Sequence, residues 1–177
     1  MIYTVECAFT EPSREDEWNA YYSGQKLENL LSLDGFRATQ RFRATMQTTA
    51  PYLAVHSVRD ELVLEQRSYA SIGGGTFDGW DNFITNWKRN LFSGIGVAPE
   101  VTSNECLIVL DDPKEGEIPS LDFAWLKIVG LDHSAERRGF AVVDRATGEQ
   151  FAANADPVLR VFRPITDRFL SATENDS

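Results

Sequence analysis

The chain opens on a run, Ile2 to Phe9, in which β-branched and aromatic residues alternate weakly with others, the pattern of a strand. Glu11-Pro12-Ser13 then turns the chain. Ser13 is a good helix cap with Asp16 three residues on, and Glu15, Asp16 and Glu17 put negative charge where the helix dipole favours it. Trp18, Tyr21, Tyr22, Leu27, Leu30 and Leu31 form an apolar stripe at three- and four-residue steps, with Gly24 a soft point and Gly35 closing the helix. Phe36 to Met46 predicts a second strand, with Phe36, Ala38, Gln40, Phe42 and Ala44 on one face and Arg37, Thr39, Arg41 and Arg43 on the other. Tyr52 to Val58 is a third, joined to it as a hairpin. Asp60 can cap a helix through Leu62, Val63, Gln66 and Tyr69. After the loop Ser71 to Gly75, the spacing of Trp80, Phe83, Ile84, Trp87 and Leu91 predicts a further amphipathic helix. Asn104 to Leu110 has the continuous apolar texture of a buried strand.

Strand, helix, strand, strand, helix, strand is the ferredoxin-like βαββαβ order, an α+β fold with helices on one face of an antiparallel sheet. Asp111 to Glu117, charged and carrying Pro and Gly, marks a boundary. Beyond it Phe123 to Leu131, Gly139 to Asp144 and Pro157 to Ile165 read as three strands, with a short helix near Glu149 to Ala153. Arg163-Pro164 suggests that the last strand lies at an edge. The expected organisation is a ferredoxin-like domain over 1–112, a mostly-β extension over 113–171 and a frayed tail over 172–177.

Charge narrows the partners. Across 177 residues, 17 Lys and Arg stand against 27 Asp and Glu, a formal net charge of −10. A chain this acidic is a poor binder of nucleic acid or anionic membrane, whose phosphates call for Lys and Arg. No apolar run is long enough to span a bilayer, and Met1 to Glu6 has no basic start to a signal peptide. Two isolated cysteines, Cys7 and Cys106, fit a reducing cytoplasm, and two histidines without Cys-x-x-Cys or His-Glu-x-x-His offer zinc almost no donors. No metal or cofactor is expected.

The candidate chemistry is sparse. His56 shares a strand face with Tyr52, Ala54 and Val58, and an imidazole projecting into an apolar space can move protons. Arg41 can hold developing negative charge if it enters a dry cavity. Glu6, between Val5 and Cys7, is either a base whose pKa burial raises or an ion-pair partner of Arg41 or Arg43. Trp18, Tyr22, Trp80 and Tyr52 can line a flat pocket for a ring-bearing ligand, while Trp87 reads as core. Gly73-Gly74-Gly75 lacks the rest of a phosphate loop and reads as a lid or linker. No Gly-x-Ser-x-Gly elbow supports serine hydrolase chemistry.

Glu17-Trp18-Asn19-x-Tyr21-Tyr22, the leucines 27, 30 and 31, Leu33-Asp34-Gly35-Phe36 with Gln40-Arg41-Phe42, and the strand Tyr52 to Val58 resemble the dimeric α/β-barrel superfamily, particularly its EthD-like branch. The likeness spans roughly residues 1 to 112. It departs at Gln25-Lys26, where many relatives carry a His, and at Asp34, where Pro is usual. The resemblance implies a homodimer whose two sheets face each other. It also implies a pocket between sheet and helices, and cofactor-independent chemistry on small aromatic or lactone-like molecules. On that basis we expect an isomerase, cyclase or lyase using His56, Arg41 and Glu6, with a cofactor-free monooxygenase or a non-catalytic ligand-binding dimer as alternatives.

Overall fold

The computed structural model describes residues 1–154 and 158–172. Eight strands hydrogen-bond side by side into a closed antiparallel barrel. They are β1 (Ile2–Phe9), β2 (Phe36–Ala44), β3 (Tyr52–Val58), β4 (Ile84–Ser93), β5 (Glu105–Asp111), β6 (Ala124–Leu131), β7 (Arg137–Asp144) and β8 (Leu159–Pro164). Their order around the wall is β3-β1-β4-β6-β7-β5-β8-β2, and β2 pairs with β3 to close the ring. A two-residue strand, β9 (Phe169–Leu170), adds to β2 outside it. The N-terminal quartet β2-β3-β1-β4 meets the C-terminal quartet β6-β7-β5-β8 at two seams, β4 with β6 and β8 with β2.

The class is therefore mostly β, which corrects the ferredoxin-like α+β expectation. Two misread segments account for the difference. Residues 113 onward do not extend a finished domain; they supply three of the eight strands of the barrel wall, β6 to β8. The inner face of the first sheet, which the resemblance set against the sheet of a second copy, is covered by β5 to β8 of the same chain. And the segment expected to be a helix after the glycine loop is a short 3-10 turn, Asp81–Phe83, followed by β4. One extra residue is accommodated opposite Cys7, where Asn86 takes φ 49°. This bulge converts the two-residue step of a strand into the three-residue step Ile84 to Trp87, which mimics a helix. Nor is β8 an edge: it lies between β5 and β2, with Pro164 at its very end.

Along β1, Ile2, Thr4 and Glu6 enter the barrel while Tyr3, Val5 and Cys7 face outward, as strand alternation requires. The interior is packed with Phe42, Leu53, Val55, Phe92, Leu107, Phe140 and Phe162, so the barrel is a core and not a channel. A second core lies on the outer face of β1, β2 and β3. It is roofed by α1 (Glu15–Tyr21), a wide turn over Tyr22–Lys26, α2 (Leu27–Leu31), and the segment from α3 (Arg67–Ser71) through Trp80. A third packs α4 (Arg145–Ala153) against β5 and β8.

Gly35 joins α2 to β2 at φ 95°, and a Cβ there would lie 2.4 Å from Val63 Cγ2. Gly35→Ala combines a left-handed backbone with a clash, and should cost about 2 kcal/mol in urea unfolding. An unchanged midpoint would show that the turn relaxes.

Candidate active site

The roofed face of the N-terminal quartet contains a small, partly enclosed cavity of about 20 Å³, room for one water molecule. Tyr3 and Val5 of β1, His56 of β3, Tyr22 and Lys26 of the wide turn, Leu30 of α2, Tyr69 of α3, Trp87 of β4 and the loop Gly74 to Phe77 line it. His56 is fully buried. Its Nδ1 lies 2.8 Å from Thr39 Oγ1, its ring stacks on Tyr3 at 5.3 Å, and its Nε2 has no hydrogen-bond partner among the described residues. Desolvation, with the positive charges of Lys26 and Arg41 adding to it, holds the imidazole down to about pKa 3. His56 thus does not titrate near neutrality, as its unperturbed value suggested; it is a neutral ring held at Nδ1 by the Thr39 hydroxyl.

Tyr3 and Tyr69 share a hydrogen bond between hydroxyls at 3.0 Å, and burial raises the pKa of both. Lys26 is buried, donates to the carbonyls of Gly73 at 2.5 Å and Thr76 at 2.7 Å, and sits 3.8 Å from Asp78 Oδ2. Burial lowers its pKa. Loss of water is the common cause: it disfavours ammonium, imidazolium and phenolate alike.

The other predicted site residues are not all brought to this cavity. Arg41 is on the same outer face but behind Tyr22, 4.2 Å from that ring and 4.9 Å from Trp18, where it donates to Ser23 Oγ at 2.7 Å and Asn19 Oδ1 at 3.0 Å. Burial lowers its pKa to about 10. Trp18 is fully buried between Phe9 and Tyr52, and Tyr52 is tied to Glu15 and Asn19, so both build the aromatic wall around Arg41. Trp80 packs at a tilt against Phe9 and Phe83 beneath Arg14 and does not line the cavity.

Glu6 faces the opposite way, into the barrel. Desolvation would push its carboxyl up, but Arg138, 2.7 Å from Oε1, and Arg160 on Oε2 outweigh it and hold the group at about pKa 2. It is neither a base nor the partner of Arg41 or Arg43. Trp87, expected as core, is 38% exposed and lines the cavity. Sequence reasoning missed Tyr3, Tyr69 and Lys26. Tyr3 was within reach, since strand alternation places it with Val5. Among the described residues no three His, Cys, Asp or Glu side chains converge on a metal position, and no helix is long and apolar enough to cross a membrane.

A closed barrel with a buried imidazole in a small aromatic chamber on its outer face is the class of site this chain presents. No protein-family model matches the sequence, and no curated protein matches it. Two solved structures share the fold. One, described as an anthrone oxidase-like protein, aligns at a TM-score of 0.61 with 11% identity over 97% of this chain and 92% of its own. The other, a putative monooxygenase from Lactobacillus acidophilus NCFM, aligns at 0.57 with 8% identity over 96% of both chains. At these identities the likeness is one of fold. It carries nothing specific to the EthD-like branch.

Proposed function

We propose that the chain is an enzyme that takes a proton from a small aromatic molecule in the chamber beside His56, and that the resulting electron-rich anion reacts with molecular oxygen. The observation that carries this reading is His56: wholly buried, fixed at Nδ1 by Thr39, unpartnered at Nε2 and lining a cavity walled by Tyr3, Tyr22, Phe77 and Trp87. With Nδ1–H donated to Thr39, the Nε2 lone pair is the acceptor. Its low proton affinity in the empty chamber rises when negative charge develops alongside, because an adjacent anion favours imidazolium. For a ring methylene the overall change is CH2 plus O2 giving C=O plus H2O. The substrate is the reductant, the proton leaves through His56, and it returns to the departing water.

Oxygen is favoured over isomerisation, cyclisation or elimination by the two structural likenesses, to an anthrone oxidase-like protein and a putative monooxygenase. A chamber of one-water size excludes any aromatic substrate until the loop over it moves, and Gly73, Gly75, Asp78 and Gly79, all at positive φ, give that loop its sharp turns.

Oxygen uptake with anthrone and with 2-naphthol tests the reading. Wild type should consume oxygen with at least one of them. His56→Ala should slow turnover by about 10²–10⁴, as loss of a general base does. Turnover without oxygen consumption would favour the isomerase class. Undiminished turnover in His56→Ala would sink the mechanism.

A further inference from the structure

The charged groups around the chamber carry the substrate reading one step further. Among the described residues Lys26 is the only charged side chain that lines the cavity, and no carboxylate does. Its ammonium is held by two backbone carbonyls, of Gly73 and Thr76, and by one carboxylate, Asp78, at a distance too long for a hydrogen bond. All three belong to the roofing loop and not to the barrel. Two further cations stand close behind the lining. Arg89 lies over the Trp87 ring at 4.9 Å and its charge pulls the Tyr69 pKa down against the burial that raises it, and Arg41 lies over the Tyr22 ring at 4.2 Å. The carboxylates nearby, Asp78 and Asp81, act on Lys26 from the loop, so the charge at the cavity lining itself is the Lys26 ammonium.

We propose that the chamber favours the anionic form of an aromatic ligand, a carboxylate that the ligand brings with it or the phenolate or enolate left when His56 takes its proton, and that Lys26 is the counter-ion. The inference rests on the proposed function, since it names the charge state of the ligand in that same chamber. Its physical logic is exchange. The cavity has room for one water, so a ring enters only by displacing the loop, and displacing the loop removes every partner that Lys26 has among the described residues. A buried ammonium left bare is costly, so the ligand that replaces those carbonyls must carry acceptor oxygens. A charge-assisted bond to an anion then exceeds the neutral carbonyl contacts it replaces. A neutral amide of the same shape opens the loop at the same cost and offers the ammonium one uncharged carbonyl in place of the two it loses.

Matched probes make this measurable: 2-naphthoate, an anion at neutral pH, and 2-naphthamide, its neutral isostere. Affinities come from Trp fluorescence. Location comes from the imidazole Cε1 proton of His56, assigned against a His133→Asn variant, because the chain has two histidines. Wild type should bind naphthoate about tenfold or more tightly than naphthamide, with the His56 resonance shifting for both. Lys26→Gln should bring the ratio of the two affinities close to one, and Lys26→Arg should keep it within about threefold of wild type. The ratio is the readout because loosening the loop changes both affinities together. Equal wild-type affinities would overturn the anion preference while leaving the chamber reading intact. A preference that survives Lys26→Gln would overturn the role of Lys26. If neither probe moves the His56 resonance, the chamber reading fails and this inference with it. Should Lys26→Gln not fold, the wild-type ratio and Lys26→Arg still decide the matter.

Discussion

Arg138→Met should destabilise the protein by about 3–5 kcal/mol, the range expected when one member of a buried ion cluster is removed and the others stay. Arg138 is almost wholly buried inside the barrel, 2.7 Å from Glu6 Oε1, with Nε 2.6 Å from Asp111 Oδ1, Nη2 3.0 Å from Asp111 Oδ2 and Nη1 3.3 Å from Thr4 Oγ1. Arg160 closes the square through Glu6 and, at 2.6 Å, Asp111. The four formal charges cancel. Desolvation works against the Arg138 guanidinium, and the two carboxylates outweigh it and raise its pKa. Without Arg138, Glu6 keeps one partner at a site from which water is excluded. For a chain of this size the melting temperature should fall by about 6–20 °C. The double variant Glu6→Gln, Arg138→Met should lose markedly less than the sum of the two single changes, because each then has no orphaned partner. Additive losses in urea unfolding would show that the square is not a unit. The cluster draws on β1, β5, β7 and β8, and β1 pairs with none of the other three, so it ties the two quartets across the interior.

Acidification should unfold the protein through His56. The ring is held at about pKa 3 in the fold against about 6.5 in an unfolded chain. Between those values the unfolded chain binds a proton that the native one refuses, so stability is full above pH 6.5 and declines as the pH drops toward 3. The slope is about 1.4 kcal/mol per pH unit, or about 2 kcal/mol lost by pH 5. Glu6 joins later: its depressed value of about 2 against an ordinary 4.5 stabilises the fold above pH 4.5, and that contribution disappears as the pH falls toward 2. Urea midpoints at pH 7.5 and 5.0 isolate the first effect, and His56→Gln should narrow the gap between them. Wild-type midpoints that coincide at the two pH values would mean that His56 is hydrated and free to ionise.

How much of this was legible in the sequence depended on how local the cause was. β1, β3 and β5 were readable because alternation or continuous apolarity is written within each strand, and the face shared by Tyr52, Ala54, His56 and Val58 followed from that. The phase of β4 was hidden by the bulge at Asn86. Lys26 was hidden by the opposite device: the wide turn Tyr22–Lys26 slips the helix phase, so that Lys26 and Leu27, neighbours in sequence, are both buried. Glu6 was read against nearby arginines, whereas its partners are contributed by β7 and β8, at the far end of the chain. Barrel closure itself was out of reach, because it rests on two seams between segments that carry no shared signal. The frayed tail expected over 172–177 lies, from 173 on, outside the described residues.

The two quartets follow the same strand order, yet their outer faces are finished differently. Where the first leaves room beneath its roof, the second is filled by Cys106, Ile108 and Leu110 beneath α4, so tightly that a Cβ on Gly148 would come within 2.6 Å of the Cys106 sulfur. The molecule is thus lopsided, with a working side and a buttress. A saturating ligand would titrate at one equivalent per polypeptide, even though the wall repeats itself twice.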